Sequence, residues 1–137
     1  MKTRHIAILL VALGLLLLSS CSAGNDTSTT KWLNKTLWET NVTSPDITGP
    51  VNLKIAFEDN EYRFQMESSK SMGSARSVIA SYDFPRISLT CPPGQGKPES
   101  TLWSGTFSSD GKTLTFPDFD LTIYEMGLLK NVVFNRQ

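Results

Sequence analysis

Between Val51 and Phe57 the chain alternates: Val51, Leu53, Ile55 and Phe57 are apolar, and Asn52, Lys54 and Ala56 stand between them. After Glu58-Asp59-Asn60 the period returns, with Tyr62, Phe64 and Met66 set against Glu61, Arg63, Gln65 and Glu67. A period of two places one set of side chains in a core and the other in water, as a strand buried on one face requires. Two such runs joined by a short polar connection predict a β-hairpin.

The pattern extends in both directions. Lys35 to Asn41 reads as an earlier strand with Trp38 turned inward. Ser68 to Ser77 reads as a loop, and Ser77 to Tyr82 as a strand that ends at the corner Asp83-Phe84-Pro85. Arg86 to Cys91 follows, stopped by Pro92-Pro93-Gly94 because proline cannot donate to a ladder. Residues 92–100 then form a loop. Leu102 to Ser108 alternates through Trp103 and Phe107, and Ser109-Asp110-Gly111 is a tight-turn signal that leads into Lys112 to Phe116. Leu121 to Tyr124 and Leu129 to Arg136 complete about nine short runs. No stretch carries a helical apolar period over ten residues, and Trp32-Leu33 is the one place where a helical turn fits. Short strands without helical crossovers predict an all-β antiparallel sandwich or closed barrel. Sequential hairpins favour an up-and-down meander.

The N-terminus follows different rules. Lys2, Arg4 and His5 precede an apolar run from Ile6 to Leu18, shorter than the roughly 20 residues a membrane-spanning helix needs. A basic start, a short apolar core and small residues after it make a secretory signal. Leu18-Ser19-Ser20-Cys21 resembles the bacterial lipobox, which implies cleavage before Cys21, lipid on its thiol and an acylated amino terminus. Several acyl chains, each burying CH₂ groups at about 0.8 kcal/mol, give stable anchoring. The expected organisation is a signal peptide over 1–20, lipidated Cys21 with a small polar tether over 21–30, and a folded domain over 31–137. Ser22 follows the cysteine where inner-membrane retention signals carry Asp, so the expected location is the outer membrane of a bacterial cell envelope.

Cleavage changes the chemistry available. The 13 basic and 13 acidic side chains of the full chain balance, which gives no electrostatic reason for a nucleic-acid partner. The single histidine, His5, leaves with the signal. Without imidazole there is no Ser-His-Asp triad, no Cys-His nucleophile and no histidine zinc site, so neither an enzyme nor a metal or cofactor is expected. With Cys21 lipidated, Cys91 has no disulfide partner in the chain and reads as a half-buried side chain of the alternating run Ile87, Leu89, Cys91. The Asn-x-Thr triplets at Asn25, Asn34 and Asn41 read as turn chemistry.

Several segments together resemble a family. They are the lipobox, the tether, the strand Leu33-Asn34-Lys35-Thr36-Leu37-Trp38 and the hairpin that starts at Leu53-Lys54-Ile55-Ala56-Phe57. Gly111 before Lys112-Thr113-Leu114-Thr115-Phe116, and the closing Val132-Val133-Phe134-Asn135-Arg136, complete the set. The chain is similar to the small lipocalin-like (calycin-like) lipoproteins of Bacteroidetes over most of 31–137, although Thr36 stands where classical lipocalins place the Gly of Gly-x-Trp. The resemblance implies a barrel of about eight strands that holds a small apolar ligand.

The candidate ligand-binding residues are the inward aromatics and their neighbours: Trp38, Phe57, Tyr62, Phe64, Met66, Tyr82, Trp103 and Phe107, with Phe116 in the same set. Such residues line apolar pockets with tyrosine hydroxyls as polar handles, and they equally make a dense core. Asp118 and Asp120, two apart around Phe119, share a face if extended, as paired acids or a Ca²⁺ site would, and otherwise form a solvated turn. The leading expectation is a membrane-anchored barrel that takes a small apolar or amphipathic ligand. The alternative is a protein-interaction or inhibitor module that uses exposed barrel loops and has no cavity. Oligomeric state is not encoded in these patterns.

Overall fold

The structure, a computed structural model, describes residues 31–92 and 102–137. The expected signal peptide, Cys21 and the tether lie outside the described residues, as does most of the Pro-rich loop after Cys91.

Eight strands follow in order: β1 (Thr36–Ser44), β2 (Ile47–Glu58), β3 (Glu61–Glu67), β4 (Met72–Asp83), β5 (Arg86–Thr90), β6 (Leu102–Phe107), β7 (Thr113–Asp120) and β8 (Leu128–Arg136). Each pairs antiparallel with its neighbour in sequence, and β8 returns to β1 through Trp38 opposite Arg136 and Glu39 opposite Asn135. The protein is therefore all-β, a closed eight-stranded up-and-down barrel. Closure leaves no edge strand among the described residues to template pairing with another chain.

The alternation read from the sequence becomes the two faces of the wall. Val51, Leu53, Ile55 and Phe57 of β2 and Tyr62, Phe64 and Met66 of β3 are all buried. The register sets Leu53 opposite Met66, Ile55 opposite Phe64 and Phe57 opposite Tyr62. Trp103, Gly105 and Phe107 form the inner face of β6. Gly105 is needed there because a β-carbon would lie 2.9 Å from the Phe116 ring.

Three expectations need correction. Leu121 to Tyr124 is not a strand. Leu121 is a buried plug, and Thr122–Tyr124 is one turn of 3₁₀ helix. Its β-branched composition is overridden by the flanks: the Asp120 carboxylate accepts from the Thr122 N–H (3.0 Å) and hydroxyl (2.6 Å), and Glu125 and Gly127 take positive φ. The expected loop over Ser68 to Ser77 is shorter, a Ser68–Ser71 turn, and the chain is already strand from Met72. Its inner positions Gly73, Ala75 and Ser77 are too small to give an apolar signal.

Asp118 and Asp120, thirdly, belong to β7 rather than to a turn. They do face outward together, by an unexpected route. Leu114 and Phe116 point inward, then Phe119 and Leu121 do, so the strand changes face at Pro117. Across the ladder β8 changes face at Asn131, whose φ is 50°, between the pairs Phe116–Val132 and Asp118–Lys130. A proline that donates no ladder bond and a left-handed asparagine stand opposite one another, and both strands turn over there.

The two ends differ in construction. At one, the segment before β1 folds across the opening: Leu33 is buried, and the Lys35 N–H donates to the Phe57 carbonyl at 2.8 Å. Trp32 lies against Trp38, Phe84 and Phe107, with the Arg136 guanidinium 5.1 Å from its ring centroid. At the other end, the β7–β8 connection inserts Leu121 and Met126.

Candidate functional site

The predicted ligand-facing residues come from five strands, and all project into the barrel. Trp38, Phe57, Tyr62, Phe64, Met66, Trp103 and Phe107 are buried, while Tyr82 is half-buried. They do not form one cluster. Near the Trp32 end, Phe107 gathers Trp38 (centroids 5.2 Å apart) and Tyr82 (6.1 Å). Deeper in the barrel, Trp103 gathers Phe64 (5.3 Å) and Tyr62 (6.0 Å). These tilted and edge-to-face contacts are the favoured geometries of packed aromatics.

The polar groups of Trp38, Trp103 and Tyr62 are already occupied. The Trp38 Nε1–H donates to the Thr36 hydroxyl (2.9 Å), which donates to the Leu33 carbonyl (2.6 Å). The Trp103 Nε1–H donates to the Asp120 carbonyl at 3.0 Å, and the Tyr62 hydroxyl to the Thr90 carbonyl at 2.5 Å. Among the described residues no buried side-chain nitrogen or oxygen lacks a partner. These groups orient the core and tie distant strands together.

Sequence reasoning missed part of the interior. Phe119 is fully buried, 4.6 Å from Trp103 and 4.8 Å from Phe116 by ring centroids. Phe134 packs edge-on against both Phe116 and Phe119. A strict period of two through Phe116 assigns Phe119 to the outside, and Pro117 inside the run was the signal of a break. Trp32, Phe84 and Tyr124 were also missed, because each lies in a turn or a short segment without period.

No family model, curated protein or solved structure matches the chain. The geometry itself must therefore carry the functional reading.

One wall of the barrel is lined by small inward residues. The inward positions of β4, Gly73, Ala75, Ser77 and Ile79, are only half-buried, whereas their partners Met66, Phe64 and Tyr62 on β3 and Leu89 on β5 are buried. Large rings on β3 thus face small residues on β4. Tyr124 reaches over this wall, with its ring 5.4 Å from Phe64 and so close to Gly73 that a β-carbon there would sit 3.1 Å away. Burial raises the Tyr62 phenol well above the ordinary tyrosine range, with Cys91 and Tyr124 adding smaller pushes. Burial, and then Cys91, raises Tyr124 as well. Cys91 is half-buried beside the core, as expected.

The carboxylates do not assemble a site. Asp118 is bound to Lys130 and Asp120 to the 3₁₀ turn. Among the described residues no three His, Cys, Asp or Glu side chains gather as a metal site would require.

A second apolar feature lies at the Trp32 end. Trp32, Tyr82, Phe84, Ser109, Asp110 and Gly111 line a shallow cleft of about 300 Å³. Phe84 is 45% exposed there, stacked nearly parallel on Phe107.

Proposed function

We propose that the protein is a lipid-anchored barrel of the bacterial cell envelope that binds a small apolar or amphipathic ligand against the inner face of β4. The observation that carries this reading is the mismatch across the β3–β4 pair. Buried rings on one strand face Gly73, Ala75 and Ser77 on the other, and these small residues keep part of their surface accessible. An apolar group laid on that wall would cover the half-buried Tyr124 ring and the accessible surface of Gly73, Ala75 and Ser77, with the Ser77 and Tyr124 hydroxyls available to an amphipathic head. Burial of apolar surface at about 25 cal/mol per Å² supplies the affinity.

Native mass spectrometry of the full chain, gently isolated from its own organism, tests this. A co-purifying small molecule is expected, and Ala75→Phe, which fills the wall, should lose it while the barrel still unfolds cooperatively. Apo protein from the wild type, or ligand retained by Ala75→Phe, would sink the reading.

The anchor is tested separately. Cys21→Ala should move the protein from the membrane to the soluble fraction, because the acyl chains would have no attachment point. Continued membrane association would remove the anchor from the proposal.

The interaction-module reading has an observation of its own, the cleft where exposed Phe84 meets the half-buried rings of Trp32 and Tyr82. Exposed aromatic surface of this kind is common at protein contacts. Under that reading Phe84→Ser abolishes capture of the partner and leaves the small-molecule content unchanged.

A further inference from the structure

One row of outward residues crosses four strands of the wall. Leu37 on β1 is opposite Ala56 on β2, Ala56 is opposite Arg63 on β3, and Arg63 is opposite Arg76 on β4. At about 4.8 Å between strands, the row is about 14 Å long. Its first half is apolar and its second half cationic.

Ala56 is the smallest of the four and forms the floor. With Lys35, Glu58 and Glu61 the row lines a groove of about 340 Å³. Three cations there stand against two carboxylates.

Two guanidinium groups directly opposite on adjacent strands repel, a placement that weakens an antiparallel pair. Arg76 is answered, since its Nε–H donates to Glu61 Oε2 at 2.6 Å. Among the described residues no carboxylate forms an ion pair with Arg63. Its fork of five donors matches a carboxylate or a phosphate.

We propose that this groove binds a single-chain amphiphile with an anionic head, a carboxylate or a phosphate. The head lies at Arg63 beside Arg76, and the chain runs over Ala56 to Leu37. The head relieves the repulsion between the arginines, and the chain covers the exposed Leu37 side chain. The apolar and cationic halves are in line, and their combined length suits a chain of about eight carbons. This site is on the outside of the barrel and stands independently of the interior reading.

Calorimetric titration of the full chain in phosphatidylcholine nanodiscs, with empty discs as blank, tests the proposal. Octanoate, octyl phosphate, octanol and inorganic phosphate are the probes. Octanoate or octyl phosphate is expected to bind, and whichever binds tighter identifies the head. Arg63→Gln should weaken that binding at least about tenfold, the scale set by losing a charge-assisted hydrogen-bonded pair. Ala56→Leu, which fills the floor without changing charge, should weaken it comparably. Both positions face outward, so unchanged unfolding midpoints will show intact barrels. All titrations are run in the Ala75→Phe background, which fills the inner wall, so that the heats report the outer groove alone.

Three results would each overturn the proposal. The first is octanol binding as tightly as octanoate, the second inorganic phosphate binding as tightly as octyl phosphate. The third is undiminished affinity in both Arg63→Gln and Ala56→Leu.

Discussion

Tyr62 shows how a single side chain can be legible in one respect and hidden in another. Its inward direction follows from the alternation with Phe64 and Met66. Its hydrogen bond to the Thr90 carbonyl, 28 residues along the chain, has no local signature. Burial of the ring keeps the phenol neutral in the fold and raises its pKa, with Cys91 and Tyr124 adding to the rise. A group whose folded pKa is raised contributes stability that is complete below its unfolded pKa, about 10 for tyrosine, and is lost as pH rises further. Thermal midpoints of the barrel should therefore hold steady up to about pH 9 and fall above about pH 10. Tyr62→Phe should lower stability near neutral pH by about 1 kcal/mol, for the lost hydrogen bond, and flatten the alkaline fall. A variant with the wild-type alkaline slope would assign that loss to other groups. Tyr82 and Tyr124, also raised by burial, are the first to examine.

Elements were legible where both faces carried contrast. In β2, β3 and β6 bulky apolar residues alternate with polar ones, so period, face and hairpin pairing could all be read directly. In β4 the inner side chains are Gly, Ala and Ser, and the same period is present with nothing to mark it until Ile79. The candidate site inherits this division, since its large ring-bearing wall was visible and its small wall was not. The face change in β7 and β8 was hidden for another reason, because it depends on two residues facing one another across a ladder. Asn131 holds φ 50°, a region where asparagine is tolerated and a β-branched residue is strained. Asn131→Val should thus destabilise the barrel by about 1–2 kcal/mol, and Asn131→Gly should be close to neutral. Urea unfolding of the two variants checks this. Equal stability would mean that Pro117 alone drives the change of face that buries Phe119.

At the scale of the whole molecule, the barrel depends on a segment outside its own ladder to close one end. Trp32 precedes β1, yet it bridges β1, the β4–β5 corner and the end of β6 through Trp38, Phe84 and Phe107. Arg136 at the end of β8 lies over the same ring, so Trp32 touches both sides of the seam where the barrel closes. The ring also presses on Gly111. That residue has φ +68°, and a β-carbon there would come within 2.7 Å of Trp32 Cζ2. Gly111→Ala consequently suffers twice, by about 1–2 kcal/mol from the left-handed backbone and again from displacement of the tryptophan. A double-mutant cycle separates the two. In a Trp32→Ala background the collision is gone, and Gly111→Ala should cost only the backbone part. The coupling between the two sites should therefore be favourable and about 1 kcal/mol or more, the range for residues in direct contact. Near-zero coupling in urea unfolding would show that the tryptophan moves aside at no cost, and that the end of the barrel is held shut by Leu33 and the strand ladder instead.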